Sequence, residues 1–322
     1  MNILSIQLYI DRLKNLEKEM NYKKVFSKAV TALGAIALVW GFTACSSKST
    51  ESNKKTITVS IPPIKYLVDR ISGNEFDVNV MVATGACQET YEPTPSQMKD
   101  VAKSKLYLGI SELEFEQKWI NNIKTNNPEL KYTNLSEGVR MVEGSCSHEE
   151  CEEHGHEHHH GGMDPHIWLS PANYKAMATA TLNELVALNP KGKSSYEKNY
   201  KSLVASIDSI DALAKSKLAN LKIKKFIIYH PALSYFASDY GLEQISIEKD
   251  GKEPAADYMK RLVSQAKEAG IKTIFVQKEF DLSLIESFAD EVGATIEPIN
   301  TFAYDWPEST NHIINALYSA NR

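Results

Sequence analysis

Three loop segments of this chain carry side chains of the types that can bind metal ions. Cys87 and Glu89 lie two residues apart in the first, His166 lies in the second, and His230 ends an apolar run in the third. Thiolate sulfur, carboxylate oxygen and imidazole nitrogen are the groups that bind zinc and related ions in proteins. Each histidine taken singly is more often a hydrogen-bonded structural residue, so the elements that position these residues decide whether they form one site.

The first loop is stiffened by two prolines. Pro93 and Pro95 fix their own φ angles and bias Glu92 and Thr94 toward extended conformations. The loop should therefore end before a helix that begins near Ser96. Along an extended segment, residues two apart point to the same side, so the thiol and the carboxylate upstream of the prolines are alternative ligands from one loop.

A second kind of metal-binding segment lies at residues 143–162. It is acidic, flanked by glycines and poor in apolar residues, so it should be an exposed loop. We expect weak, exchangeable binding of zinc, copper or nickel there, and the alternative is a solvated polar linker. Its six histidines are His148, His154, His156, His158, His159 and His160. Outside this loop the histidines are His166, His230 and His312, and we read His312, in the last helical pattern, as structural.

Composition and charge narrow the class of protein. The 322 residues are 43% hydrophobic and 24% charged, which suffices for a packed core. The net charge of −5 gives no basic face, so we expect no nucleic-acid partner.

The N-terminal segment has the pattern of a secretory signal. Basic residues precede a short apolar run, and small residues precede Cys45. This ending resembles a bacterial lipoprotein processing site, which implies cleavage before Cys45 and lipid on its thiol, and the alternative is an ordinary signal peptide. Met20 is a second good start, so residues 1–19 are a candidate for an untranslated extension. The pairing of Cys87, Cys146 and Cys151 stays open.

The remaining chain alternates strand and helix patterns, which predicts parallel sheets covered by helices. The strand candidates are residues 57–61, 76–82, 106–110, 225–229 and 273–276, and the helix candidates are 62–71, 96–102, 255–269 and 282–292. A longer stripe of apolar residues at steps of three and four begins near Lys193 and predicts a helix of about 25 residues. Such a helix can join two lobes.

These patterns give the expected domain organisation. We expect a signal peptide ending at Cys45, a tether at 46–55, an N-terminal α/β lobe at 56–189 with the histidine-rich loop, a linker helix at 190–221 and a C-terminal α/β lobe at 222–322. The fold class is α/β, with two parallel-sheet lobes joined by one long helix. In such sheets, ligands bind in loops at the carboxyl ends of the strands.

Several ordered motifs resemble one known family. They are Tyr91-Glu-Pro-Thr-Pro95, Met163-Asp-Pro-His-Ile-Trp-Leu-Ser-Pro171, Tyr229-His-Pro-Ala232 followed by Tyr235-Phe236, and Gly251-Lys-Glu-Pro254. From about residue 55 to the C-terminus, the chain resembles the zinc- and manganese-binding proteins of bacterial ABC importers, the cluster A-I solute-binding proteins. The resemblance implies two α/β lobes with a metal site between them. Zinc-type members often carry an acidic, histidine-rich loop before the Asp-Pro-His motif, as this chain does.

The resemblance also implies a ligand set. His166 and His230 match two family histidines, whereas Glu89 stands where the family has its first histidine. Cys87 is the alternative ligand from that loop, and neither residue need bind. The family carboxylate near the C-terminus aligns with Glu297, and Glu279 is the alternate. A carboxylate in place of imidazole makes the site harder and narrows its preference for zinc over manganese.

The expected function is high-affinity capture of Zn²⁺ outside the cytoplasm and delivery to an ABC permease and its ATPase. We expect a monomer, held to a bacterial membrane on its periplasmic face or at the cell surface by lipid on Cys45, and no enzymatic activity. The alternatives are a manganese-type importer protein, a zinc-dependent hydrolase, and a surface metal buffer or adhesin. No His-Glu-x-x-His helix supports the hydrolase, because the only such run, residues 156–160, lies in the predicted exposed loop.

Overall fold

The computed structural model describes residues 54–83, 85–86, 91–143, 162–248, 255–280 and 283–322. Some sequence-based predictions lie outside these ranges. They are the signal peptide with Cys45, the candidate ligands Cys87 and Glu89, the six loop histidines, Cys146 and Cys151, and the segment Gly251-Lys-Glu-Pro254.

The first lobe is built on a four-stranded parallel sheet. Short apolar strands in its centre are buried, because helices cover the sheet. The strands are β1 (Thr56–Val59), β2 (Asp77–Val80), β3 (Leu106–Gly109) and β4 (Lys131–Asn134), in the order β2-β1-β3-β4. The helices are α1 (Pro62–Ser72), α2 (Pro95–Val101), α3 (Glu114–Asn126) and α4 (Pro171–Leu188).

The second lobe repeats this topology. Its strands are β5 (Lys225–Ile228), β6 (Glu243–Ser246), β7 (Thr273–Gln277) and β8 (Thr295–Ile299), all parallel, in the order β6-β5-β7-β8. Its helices are α6 (Ser234–Tyr240), α7 (Ala256–Ala269), α8 (Ser283–Val292) and α9 (Trp306–Asn321). In both sheets the chain leaves the centre first to one side and then to the other. The loops at the carboxyl edge diverge there and leave room for a ligand.

Helix α5, Lys193–Leu218, connects the two lobes. It packs against α1 and α4 of the first lobe and against α9 of the second. Its buried stripe is Tyr196, Leu203, Ile207, Ile210, Ala214 and Leu218. The spacing of three and four that predicted this helix is the spacing of the face that it buries.

The predicted fold class is confirmed: two four-stranded parallel sheets with covering helices make a two-lobed α/β protein. Tyr174 of α4 stacks on Trp306 of α9, with ring centroids 4.1 Å apart, and both rings are fully buried. A continuous apolar core therefore runs between the lobes. Within the described residues, no helix is both long and apolar enough to cross a bilayer.

Candidate metal centre

His166 is held by the acidic residue two positions before it. Its ring Nδ1 lies 2.8 Å from Asp164 Oδ1, and its backbone N–H donates to the same oxygen at 2.8 Å. The rigid Pro165 between them and the 3₁₀ turn Ile167–Leu169 that follows limit the movement of this segment. The Asp-Pro-His motif is therefore a local device that fixes one imidazole.

The carboxyl of Asp164 is suited to this task. Burial by itself would raise its pKa, but the charge of His166 and hydrogen bonds from His166 and Ser234 hold the pKa below its ordinary value. Asp164 is therefore a carboxylate that accepts a hydrogen bond from the ring Nδ1–H of His166.

His230 is fixed in a similar way from the second lobe. It follows β5 at the carboxyl edge of the sheet, and its Nδ1 lies 2.9 Å from Glu248 Oε2, just beyond the end of β6. Gln277, the last residue of β7, accepts from the His230 N–H at 3.3 Å and donates to its carbonyl at 2.6 Å. Two neighbouring strands therefore hold the ring and the backbone of this histidine.

The two imidazoles face each other across the boundary between the lobes. Their Nε2 atoms are 3.3 Å apart, and both side chains are more than 90% buried. In the neutral tautomer that donates Nδ1–H to the carboxylate, each ring presents its Nε2 lone pair to the other. Two lone pairs at this distance repel each other unless a cation lies between them.

The spacing of the pair fits one zinc ion. With Zn–N distances of about 2.0–2.1 Å and tetrahedral angles, two ligating nitrogens are about 3.3–3.4 Å apart. His166 and His230 have this separation. Carboxylates behind ligating imidazoles are the usual partners of zinc-bound histidines, because they fix the tautomer and raise the basicity of the ring.

Glu279 is the carboxylate near this pair. It follows β7, and Thr301 Oγ1 donates to its Oε1 at 3.2 Å. Burial raises the pKa of Glu279, while hydrogen bonds and the charges of His230 and His166 oppose that rise. The carboxyl of Glu279 thus lies in the same electrostatic environment as both imidazoles. Asp164 and Glu248 lie behind the two rings and already contact their Nδ1 atoms.

The structure places Glu297, the other candidate carboxylate, against His312. Glu297 lies in the middle of β8, and its Oε1 is 3.2 Å from His312 Nε2. His312 also contacts the Pro298 carbonyl at 3.2 Å. Glu297 and His312 line a surface groove between β8 and α9. A side chain from the middle of a strand faces the covering helix, whereas the metal centre lies beyond the strand ends.

Aromatic rings surround the histidine pair. Trp168 lies beside His166 with centroids 5.2 Å apart, and Phe280 stacks on His230 at 5.7 Å and 29°. These rings exclude water from the imidazoles, which lowers the local dielectric and strengthens the attraction of a cation to the carboxylates behind them.

The downstream end of the first ligand loop is anchored to the first lobe. Tyr91 packs edge-to-face on Phe115 at 5.4 Å, and its hydroxyl donates to Gln97 at 2.5 Å. Thr94 and Gln97 form a capping box at the start of α2. In the described part of the chain, no cluster of three or more acidic, histidine or cysteine side chains is positioned to hold a metal. The predicted ligands Cys87 and Glu89 lie outside that part.

Sequence reasoning missed Glu248 and Gln277. Both lie at the carboxyl ends of strands in the second lobe, and both contact His230 across the sheet. No local motif marks either residue. The available signal was positional, because strand-end polar residues of one parallel sheet meet at the same edge.

Fold and site together define a two-lobed solute-binding protein with a metal-binding centre between its lobes. The family model for the zinc-uptake complex component A, periplasmic (ZnuA), matches residues 57–320. The chain belongs to this family, as the sequence motifs indicated. The family is a substrate-binding transport component rather than an enzyme, so the prediction of no enzymatic activity is confirmed.

Characterised relatives support this assignment. The high-affinity zinc uptake system protein ZnuA of Bacillus subtilis (strain 168) is 28% identical over 268 residues, which cover 80% of this chain and 83% of that protein. The zinc-binding lipoprotein AdcA of Streptococcus pneumoniae (strain R6) is 25% identical over 281 residues, 86% of this chain but only 55% of AdcA. The crystal structure of a zinc-bound ZnuA deletion mutant is similar at 33% identity with a TM-score of 0.75, covering 84% of this chain and 98% of that one.

Proposed function

We propose that this chain is the extracytoplasmic zinc-binding component of an ABC importer, which captures one Zn²⁺ between its lobes and delivers it to a membrane permease. The observation that carries the proposal is the separation of 3.3 Å between the Nε2 atoms of His166 and His230, with a carboxylate behind each ring. In this arrangement the two imidazoles can bind a cation, and the zinc is captured and released without a chemical reaction.

Four ligands complete the proposed zinc site. His166 and His230 supply two nitrogens, and Glu89 supplies an oxygen from the first loop, with Cys87 as the alternative from that loop. Glu279 is the proposed fourth ligand, because its carboxyl shares the environment of the two imidazoles. It must approach them when the metal binds, since the described residues form no cluster of three ligands. A four-coordinate site made of protein ligands suits capture, since it leaves no open position for a reacting water.

Zinc is favoured over manganese by the donors and by the relatives. Imidazole nitrogen suits zinc, whereas manganese prefers carboxylate, carbonyl and water oxygens. The names of ZnuA of B. subtilis and AdcA of S. pneumoniae both specify zinc. With two imidazoles and two carboxylates, selectivity against manganese should be smaller than for a site with three imidazoles.

Location and partners follow from the same function. We propose that lipid on Cys45 anchors a monomer to the outer face of a bacterial membrane, where it meets the permease and its ATPase. The proposed domains are a tether at 46–55, lobes at 56–189 and 222–322, and a linker at 190–221. We propose in addition that the six histidines between 148 and 160 bind zinc weakly.

Zinc stoichiometry in two variants tests the proposal. Deletion of residues 146–160 should leave one tightly bound zinc per chain, because the inter-lobe ligands are retained. Combining that deletion with His166→Ala and His230→Ala should abolish tight binding. The matched control is His312→Ala in the deletion variant, which removes an imidazole that pairs with Glu297 outside the site and should keep the tight zinc. Loss of all tight binding on deleting the loop alone would contradict the proposal.

A further inference from the structure

The hydroxyl of Tyr235 joins the two lobes beside the histidine pair. Tyr235 lies in α6 of the second lobe and is 4% exposed. Its hydroxyl donates to the carbonyl of Asp164 at 2.8 Å and accepts from the N–H of Val142 at 3.2 Å. Both partners belong to first-lobe backbone on the approach to His166.

These two partners form a backbone clamp. The N–H of Asp164 donates to the carbonyl of Val142 at 2.9 Å, and the next residues outward, Glu143 and Met163, pair in an isolated antiparallel bridge. The Tyr235 hydroxyl therefore binds both strands of the clamp at once. A single oxygen that donates to one strand and accepts from the other fixes their position relative to α6 more firmly than either bond alone.

The clamp connects one ligand histidine to the other. Asp164 holds the ring and the backbone N–H of His166, whereas Tyr235 lies five residues after His230 on the segment that follows β5. A series of contacts therefore links the two histidines. His166 contacts Asp164, Asp164 contacts Tyr235, and the backbone leads from Tyr235 back to His230. The Tyr235 hydroxyl makes the contact between the lobes in this series.

We infer that Tyr235 is a positioning residue, which sets the separation of His166 and His230 through Asp164 and so tunes the zinc affinity of the site. The inference rests on the proposed function, because it concerns the same zinc site. Without the hydroxyl, the Val142 N–H and the Asp164 carbonyl lose a partner and the clamp is released from α6. His166 then loses its fixed distance from His230.

Tyr235→Phe in the full chain tests the inference, because it removes one oxygen and keeps the ring. The matched control is Tyr240→Phe on the same helix, where the hydroxyl donates to Asp211 at 3.0 Å, away from the histidines. Zinc affinity and zinc release are measured by competition with a chelator. We expect the loss of the Tyr235 hydroxyl to weaken tight zinc binding about tenfold, mainly through faster release, and Tyr240→Phe to leave it unchanged.

A spectroscopic readout separates positioning from stability. With one equivalent of Co²⁺, Tyr235→Phe should change the intensity of the ligand-field bands, because the two imidazoles meet the metal at altered angles, whereas Tyr240→Phe should retain the wild-type spectrum. Unchanged affinity and an unchanged cobalt spectrum in Tyr235→Phe, even with lower stability toward urea, would overturn the inference. The absence of a single tight zinc in the wild-type chain would instead overturn the proposed function.

Discussion

Two carboxylates lie behind the imidazoles of the candidate metal centre. Asp164 and Glu248 each contact a ring Nδ1, at 2.8 and 2.9 Å, and are themselves buried. They favour the Nδ1–H tautomers, which direct the Nε2 lone pairs toward the proposed metal position, and carboxylates there strengthen the attraction of a cation in a region of low dielectric.

Glu248→Gln should weaken zinc binding roughly 10- to 100-fold, because the amide keeps the shape of the side chain and removes the charge behind His230. Competition with a chelator of known affinity measures the change. Glu297→Gln is the matched control, since that carboxylate pairs with His312 away from the centre. An unchanged affinity in Glu248→Gln would show that this carboxylate does not support a metal ligand.

Another buried carboxylate, Glu116, lies at the carboxyl edge of the first sheet. It accepts hydrogen bonds from the Ser60 hydroxyl, from the Ile110 N–H at 2.8 Å and from the Tyr132 hydroxyl at 2.6 Å. Burial raises its pKa to about 7, although these three hydrogen bonds oppose the rise and Glu112 adds to it. The proton is therefore held more tightly in the folded protein than in the unfolded chain.

This shift predicts a pH-dependent stability. The contribution of protonated Glu116 is fully present below pH 4.5, the ordinary pKa, and is lost as the pH rises through about 7. Glu116→Gln should remove roughly 2–3 kcal/mol of the decrease in unfolding free energy between those pH values. Urea denaturation at pH 5 and pH 8 measures it. The same substitution at the fully exposed Glu129 should leave the slope intact, and an equal slope in Glu116→Gln and wild type would contradict the assignment.

At the scale of elements, two helices begin with a hydroxyl cap followed by proline, but in different surroundings. Thr94 caps α2 at an exposed position, whereas Ser170 caps α4 at a buried one. The Ser170 hydroxyl also donates to Asp239 of α6, at 2.5 Å. One serine therefore begins a first-lobe helix and binds a second-lobe carboxylate.

Ser170→Ala should lower the unfolding free energy by about 2–4 kcal/mol, because it removes a helix cap and leaves Asp239 without its hydroxyl donor. Thr94→Ala should cost only about 1 kcal/mol, since that cap is exposed. Chemical denaturation of both variants gives the comparison. Equal losses would mean that the bond between Ser170 and Asp239 adds nothing.

The sequence predicted those elements whose burial pattern is strong. Helix α5 was identified from its apolar stripe, and the central strands β1, β3, β5 and β7 from short apolar runs. The strand candidates include one edge strand, β2, but omit the other three, β4, β6 and β8, with sequences such as Lys-Tyr-Thr-Asn and Glu-Gln-Ile-Ser. An edge strand is only partly buried, so its apolar pattern is weak. Helix α3 was missed as well.

The same distinction holds for the centre. His166 with Asp164 was visible, because the motif is local and the two residues are two positions apart. Glu248 was not, because 18 residues separate it from His230 and only the pairing of β5 with β6 brings them together. The dipeptide Glu297-Pro298 suggests Glu297 as a ligand by its resemblance to the family motif, and the structure shows that carboxylate in contact with His312.

At the scale of the whole molecule, several hydrogen bonds tie the lobes together around the centre. The Trp168 indole donates to the Thr301 carbonyl at 2.8 Å, and the Trp306 indole donates to the Trp168 carbonyl at 2.7 Å. With Tyr235 and Ser170 they form a ring of contacts between the lobes. Both indoles are fully buried, so the two imidazoles approach each other on a rigid frame.

The binding of one zinc by both His166 and His230 is tested most directly by zinc-edge X-ray absorption. The sample is the chain lacking residues 146–160, loaded with one zinc. The spectrum reports which atoms surround the metal without the contribution of the loop histidines. We predict two imidazole nitrogens at about 2.0–2.1 Å from the zinc, with their characteristic outer-shell scattering, and oxygen in the remaining positions. A zinc ion surrounded by fewer than two imidazoles would contradict this prediction.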